Sequence, residues 1–241
     1  PNVPNANAGP PQALNCTTTS VALSGSSSTG GATYSWAGPG IVSGGTSATP
    51  TVNATGSYTV TVTNPANSCT STSNVSVTQN ITPPNANAGT AQIINCTVTS
   101  VVLNGSSSTA GTTFSWAGPG IVSGGTTATP TVNQPGTYTI TVTNPANGCT
   151  ATSTVNVTQN ITPPNANAGT SQVLNCTTTS VVLNGSSSTA GTTFSWAGPG
   201  IVSGGTSATP TVNQAGTYTL TVTNPANGCT ATSTVNVTQN I

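Results

Sequence analysis

The chain has 241 residues and contains no Asp, Glu, Lys, Arg or His. Soluble domains are usually about a quarter charged, so chance alone would leave so long a run empty with odds of about 10 to the minus 30. Chance is thereby excluded as the cause, and the composition as it stands excludes most site chemistry.

General acid–base catalysis draws on His, carboxylates, Lys, Tyr or Cys, and only the last two occur here. A Ser nucleophile would have no base beside it. Hard cations want carboxylates, zinc wants Cys with His, and nucleic acids are held by Lys and Arg. No catalytic residue, metal site, cofactor or nucleic-acid partner is expected. No apolar run approaches the ~20 residues of a membrane span, so direct membrane insertion is not expected. There is no signal peptide and no initiator Met, which reads as a mature or excised piece. The chain stops where a repeat stops, so further repeats are expected beyond it.

Three copies of one unit follow one another. Cys16, Cys96 and Cys176 are spaced by 80 residues, as are Cys69, Cys149 and Cys229, and Trp36, Trp116 and Trp196. Residues 85–161 and 165–241 differ at only seven positions. A repeat this long, with its own Trp and Cys pair, is large enough to be a domain. The expected units are 1–81, 82–161 and 162–241.

Within the first unit, period-two runs bounded by Gly, Pro and Asn predict strands near 12–16, 20–24, 32–37, 49–53, 56–63 and 70–78. No stretch has sustained helical periodicity. Tyr34 and Trp36 share a face, and Tyr58, Val60 and Val62 share another parity. Many short strands with turns between them predict an all-β sandwich. Trp36, Tyr58 and their repeats Trp116, Tyr138, Trp196 and Tyr218 are the expected core. The linker Thr82-Pro83-Pro84 predicts an extended spacer, and Ile81 is expected to pack between units and limit bending.

Each unit carries two cysteines 53 residues apart. The expected pairing is within units: Cys16–Cys69, Cys96–Cys149 and Cys176–Cys229. In the chain-entropy model each closure would contribute about 4 kcal/mol. Six cysteines also permit other pairings, and free thiols in a reducing compartment are the alternative. Disulfides imply an oxidising place, secreted or on a cell surface.

Three features invite sharper readings. The ladder Thr139, Thr141, Thr143 resembles ice-binding rows, but an ordinary solvent face of a β-branched strand explains it. Trp116 with Phe114 would make a sugar-stacking platform, but a sandwich needs its Trp in the core. Gly118-Pro119-Gly120 has no Lys and no following helix, so it reads as a turn and not a phosphate loop.

The succession ANAG, VVLNGSSS, FSWAGPG, TPTV, GTYTITVTNPANGC and TSTVNVTQ resembles an immunoglobulin-like repeat. It is similar to the PKD-like and SprB-type repeats of very large surface adhesins in Bacteroidetes. That resemblance implies three tandem immunoglobulin-like β-sandwich domains joined by Pro-rich linkers, in a secreted filament used for adhesion or gliding, without catalysis. The departure is charge: the resembling repeats would carry Asp at positions such as Asn144, Ser153 and Asn160. Calcium clamping between units, and isopeptide bonds that need Lys, are thereby put in doubt.

Like charge keeps proteins apart, and edge Lys blocks strand-to-strand pairing. This chain has neither device, so self-association into fibres, or packing against neighbouring repeats, is expected. The expected function is a structural stalk, spacer or filament segment of an extracellular adhesin. The alternatives are a module binding surface glycans, with loop 38–46 contributing, and a deliberately charge-free design.

Overall fold

The computed structural model describes residues 2–240; Pro1 and Ile241, the outermost residues of the expected units, lie outside it. Among the described residues every regular element is a strand. The first unit holds β1 (Gln12–Asn15), β2 (Val21–Ala22), β3 (Thr33–Ala37), β4 (Ile41–Ser43), β5 (Thr51–Val52), β6 (Gly56–Thr63) and β7 (Thr70–Asn80). The second repeats them as β8 (Gln92–Asn95), β9 (Val101–Val102), β10 (Thr113–Ala117), β11 (Ile121–Ser123), β12 (Thr131–Val132), β13 (Gly136–Asn144) and β14 (Cys149–Asn160). The third follows as β15 (Gln172–Asn175), β16 (Val181–Val182), β17 (Thr193–Ala197), β18 (Ile201–Ser203), β19 (Thr211–Val212), β20 (Gly216–Asn224) and β21 (Cys229–Asn240).

Each unit is a sandwich of a four-stranded and a three-stranded sheet, ordered β1-β7-β6-β3 and β2-β5-β4 in the first. The long hairpin β6–β7 is antiparallel, while β1 runs parallel to the far half of β7, with Gln12 opposite Val77 and Asn15 opposite Asn80. This connectivity is that of an immunoglobulin-like sandwich. The chain is three such units in tandem. Strand β4 falls within the segment expected to be a loop. It is only three residues long and its pairing with β5 is bulged.

Alternation along the hairpin builds the core. Tyr58, Val60 and Val62 are fully buried, while Thr59 and Thr61 between them are partly exposed. Leu23, Val52, Trp36, Val75 and Val77 complete one cluster, and equivalent clusters fill the other two units. Trp116 and Trp196 are buried, and each indole N–H donates to a backbone carbonyl, of Thr127 and Ser207 respectively. Phe114 and Phe194 pack against the same clusters. Each core tyrosine turns its hydroxyl back to the chain before its strand. Tyr58 donates to the Ala54 carbonyl at 2.6 Å, and Tyr138 and Tyr218 donate to Gln134 and Gln214 at 2.7 Å. This is the tyrosine corner of immunoglobulin-like domains.

Candidate functional site at the unit junctions

The cysteines do not pair within units. Cys16 is bonded to Cys149, and Cys96 to Cys229, each across a sequence separation of 133 with Cα atoms 5.0 Å apart. Cys69 and Cys176 are free thiols. The expected pairs Cys16–Cys69, Cys96–Cys149 and Cys176–Cys229 are therefore corrected, and strand direction gives the reason. Cys16 follows Asn15, which the parallel register places beside Asn80 at the end of β7. Cys69 precedes Thr70 at the start of β7. Eleven residues of strand, at about 3.3 Å each, separate the two ends by roughly 35 Å. A disulfide spans Cα atoms less than about 7 Å apart. Within one unit the two cysteines lie at opposite poles.

Those poles meet between successive units. Strand β7 of unit one ends at Asn80, with Cys16 at the same pole, and unit two presents Cys149 at the pole facing back. Local hydrogen bonds shape both sides. Asn15 Oδ1 accepts the N–H groups of Thr17 and Thr18, folding a tight turn that holds Cys16 out. Across the boundary, the Asn144–Gly148 turn is closed by the Gly148 N–H donating to the Asn144 carbonyl at 2.8 Å. Asn147 Oδ1 accepts the Cys149 N–H at 3.0 Å, fixing the second cysteine relative to that turn.

Further contacts cross the boundary. The Cys16 N–H donates to the Asn147 carbonyl at 3.1 Å. The Asn147 amide donates to Asn80 Oδ1 and to the Thr82 carbonyl, both at 3.0 Å. The second junction reproduces the set with Cys96, Asn227, Asn160 and Thr162. Asn147 and Asn227 are buried to 2 % exposure, and Cys149 and Cys229 to 1 %. Buried amides of this kind are tolerated only when bonded. Gly148 lies against Thr17, and a Cβ added to it would fall far inside contact with the threonine side chain.

Ile81 does not fill the junction: it is 49 % exposed. Covalent and amide contacts hold the units where apolar packing was expected. The junction asparagines carried no sequence signal beyond recurrence in the turn Asn-Pro-Ala-Asn, a composition that any tight turn shares.

Among the described residues there is no group of three or more potential metal ligands. Among them, too, no helix is long and apolar enough to cross a membrane.

No protein-family model matches the chain, and no curated protein matches it. Among solved structures it is similar to an I-band fragment of titin, at 14 % identity and TM-score 0.41 with the whole of both chains covered. It is likewise similar to another titin tandem, at 13 % identity and TM-score 0.42, covering 99 % of this chain and 100 % of that one. Extracellular domains 3–5 of Drosophila OTK match at 14 % identity and TM-score 0.30, covering 100 % of this chain and 98 % of that one.

Proposed function

We propose that this chain is a structural segment of an extracellular stalk or fibre, with units 1–81, 82–161 and 162–241 riveted in sequence by disulfides. The bonds Cys16–Cys149 and Cys96–Cys229 carry the reading. A bridge inside a unit stabilises that unit alone. A bridge between neighbours adds nothing a binding loop needs, but it fixes the spacing and orientation of successive units. Two disulfides also favour an oxidising location, at the cell surface or in the secreted space. An uncharged face of Thr, Ser, Asn and Gln suits lateral self-association that salt does not screen. The resemblance to surface adhesin repeats points the same way. Surface glycans remain the partner class to test, although the indoles that would stack on sugars are buried in the cores.

Small-angle scattering on the intact chain, together with a glycan array, tests the proposal. The oxidised chain is expected to give one narrow end-to-end distance and no saturable glycan binding. The variant Cys149→Ser with Cys229→Ser is expected to broaden that distribution. An unchanged distribution in the variant, or saturable binding to a defined glycan, would overturn the reading.

A further inference from the structure

The two free thiols are the two halves of one more junction. Cys176 stands in unit three where Cys16 and Cys96 stand in the first two, and Cys69 stands in unit one where Cys149 and Cys229 stand in the others. We infer that, in this 241-residue chain, Cys176 of one copy docks on and bonds to Cys69 of a second copy, which takes the place that a flanking repeat would fill in a longer chain, making a head-to-tail covalent polymer with the geometry of the internal junctions. The inference rests on the structural reading above and extends it from three units to an open series.

Several observations beyond the thiols support a second copy as the occupant. The first is uncovering. Asn147 and Asn227 are buried beneath the preceding unit, whereas Asn67 is exposed; Cys149 and Cys229 are buried, whereas Cys69 is half-buried. Within residues 2–240 the pole of unit one is open where the matching poles of units two and three are covered by the unit before them.

The second is readiness. The Asn67 amide donates to the Asn2 carbonyl at 3.0 Å, as the Asn147 amide donates to Thr82, 80 residues further on. Asn67 Oδ1 accepts the Cys69 N–H at 3.0 Å, as in the formed junctions. The receiving pole is thus already folded. The third is the opposite pole. Asn175 Oδ1 accepts from Thr177 and Thr178 and holds the Cys176 turn in the same form as the Cys16 turn, with Cys176 exposed. The Cys176 N–H, the Asn67 carbonyl and Asn240 Oδ1 supply the complementary groups that join the internal units. An open heterologous contact of this kind generates filaments rather than closed pairs.

One residue differs. Gly148 and Gly228, at φ of 67° and 68°, are replaced in unit one by Ser68 at φ of 57°. The Ser68 Cβ would press on Thr177 of the docked copy, as an added Cβ at Gly148 would on Thr17. The copy-to-copy junction therefore closes less readily than the internal ones until Thr177 rotates.

Bond formation needs an oxidant, here a small-molecule disulfide such as oxidised glutathione. The Cys176 thiolate attacks it, forming a mixed disulfide and releasing one glutathione thiol. The Cys69 thiolate of the second copy then attacks Cys176 Sγ and expels the second glutathione. Two protein thiols become one disulfide, one glutathione disulfide becomes two thiols, and the two thiol protons leave with the glutathione.

The test uses the full chain in a glutathione redox buffer at about millimolar chain concentration, comparable to the effective concentration a short linker provides. Products are separated without reductant and their bridges mapped by mass spectrometry. A ladder of multiples of 23.3 kDa is expected, collapsing on reduction and yielding a Cys69–Cys176 peptide. Mixing Cys69→Ser with Cys176→Ser copies should stop the ladder at a heterodimer. Ser68→Gly should increase the yield severalfold, which indiscriminate thiol coupling would not do. Equal amounts of Cys69–Cys69, Cys176–Cys176 and mixed bridges would overturn the inference, as would thiols capped by glutathione without chain growth. In those outcomes the mapped bonds Cys16–Cys149 and Cys96–Cys229 would leave the structural reading standing; their replacement by within-unit pairs would remove that reading as well.

Discussion

Cys16 directly follows the first strand of unit one, and Cys149 opens the last strand of unit two, yet the two are bonded across the boundary between units. With the second bridge in place, the shortest covalent route from end to end does not follow the chain. It runs from residue 1 to Cys16, crosses to Cys149, returns to Cys96, crosses to Cys229 and continues to residue 241.

That route sets a mechanical limit. It contains about 80 residues, so at ~3.5 Å per residue the fully stretched oxidised chain should reach roughly 280 Å, against roughly 840 Å once reduced. Single-molecule pulling from the two termini measures both lengths. Within-unit bridges would leave a route of about 85 residues and nearly the same contour, so Cys69→Ser decides: an oxidised contour unchanged by that substitution is expected, and a lengthening of roughly 180 Å would refute the pairing.

Gly148 separates backbone cost from junction cost. Its φ of 67° is matched by Gly111 at 71°, which has open space around its Cβ position. Gly111→Ala should cost about 1 kcal/mol, the price of a left-handed alanine alone. Gly148→Ala adds the collision with Thr17. It should destabilise further and slow formation of Cys16–Cys149 on reoxidation, measured by trapping free thiols over time. Equal behaviour of the two variants would show that the junction is not closely packed at Thr17.

The tyrosine corners should stabilise each unit separately. Removing the hydroxyl in Tyr138→Phe leaves the ring packed but unpairs the Gln134 carbonyl. A loss of about 1 kcal/mol is expected, lowering the melting point of unit two by several degrees. Calorimetry of the full chain checks it. No change would mean that water replaces the hydroxyl without cost.

Stability should be nearly flat from pH 4 to 8 and insensitive to salt, since the chain has no carboxylate, imidazole or ammonium side chain. The alkaline limb has a defined sign. Burial pushes the phenols of Tyr58, Tyr138 and Tyr218 above their ordinary value. The folded state then keeps protons that the unfolded chain releases near pH 10. Stability is complete below that pH and declines as pH rises through the folded-state values. Denaturant melts of thiol-alkylated protein at pH 7, 9 and 11 should show this order, and a rise between 9 and 11 would contradict it.

The fold was legible because its signals are local. Alternation in Tyr58–Val62 announces a strand with one buried face, and the Trp36 spacing announces a unit. Strand β4 was not legible: three residues among Gly and Pro carry no period, and only pairing with β5 makes them a strand. The disulfides were legible as a set but not as pairs. Both cysteine series have the same 80-residue period, so separations of 53 and 133 are equally consistent with the repeat. What decides between them is that β1 runs parallel to β7, a non-local fact that puts Cys16 and Cys69 at opposite poles. Ile81 misled for a similar reason, since an apolar residue in a linker has no periodicity to show whether a neighbour covers it.

Peptide mapping of the unreduced chain by mass spectrometry tests the central claim most directly. Proteolytic fragments joined as Cys16–Cys149 and Cys96–Cys229, with Cys69 and Cys176 open to alkylation in the monomer, are the expected result. Fragments joined as Cys16–Cys69, Cys96–Cys149 and Cys176–Cys229 would contradict it, and the riveted stalk would give way to three independent beads.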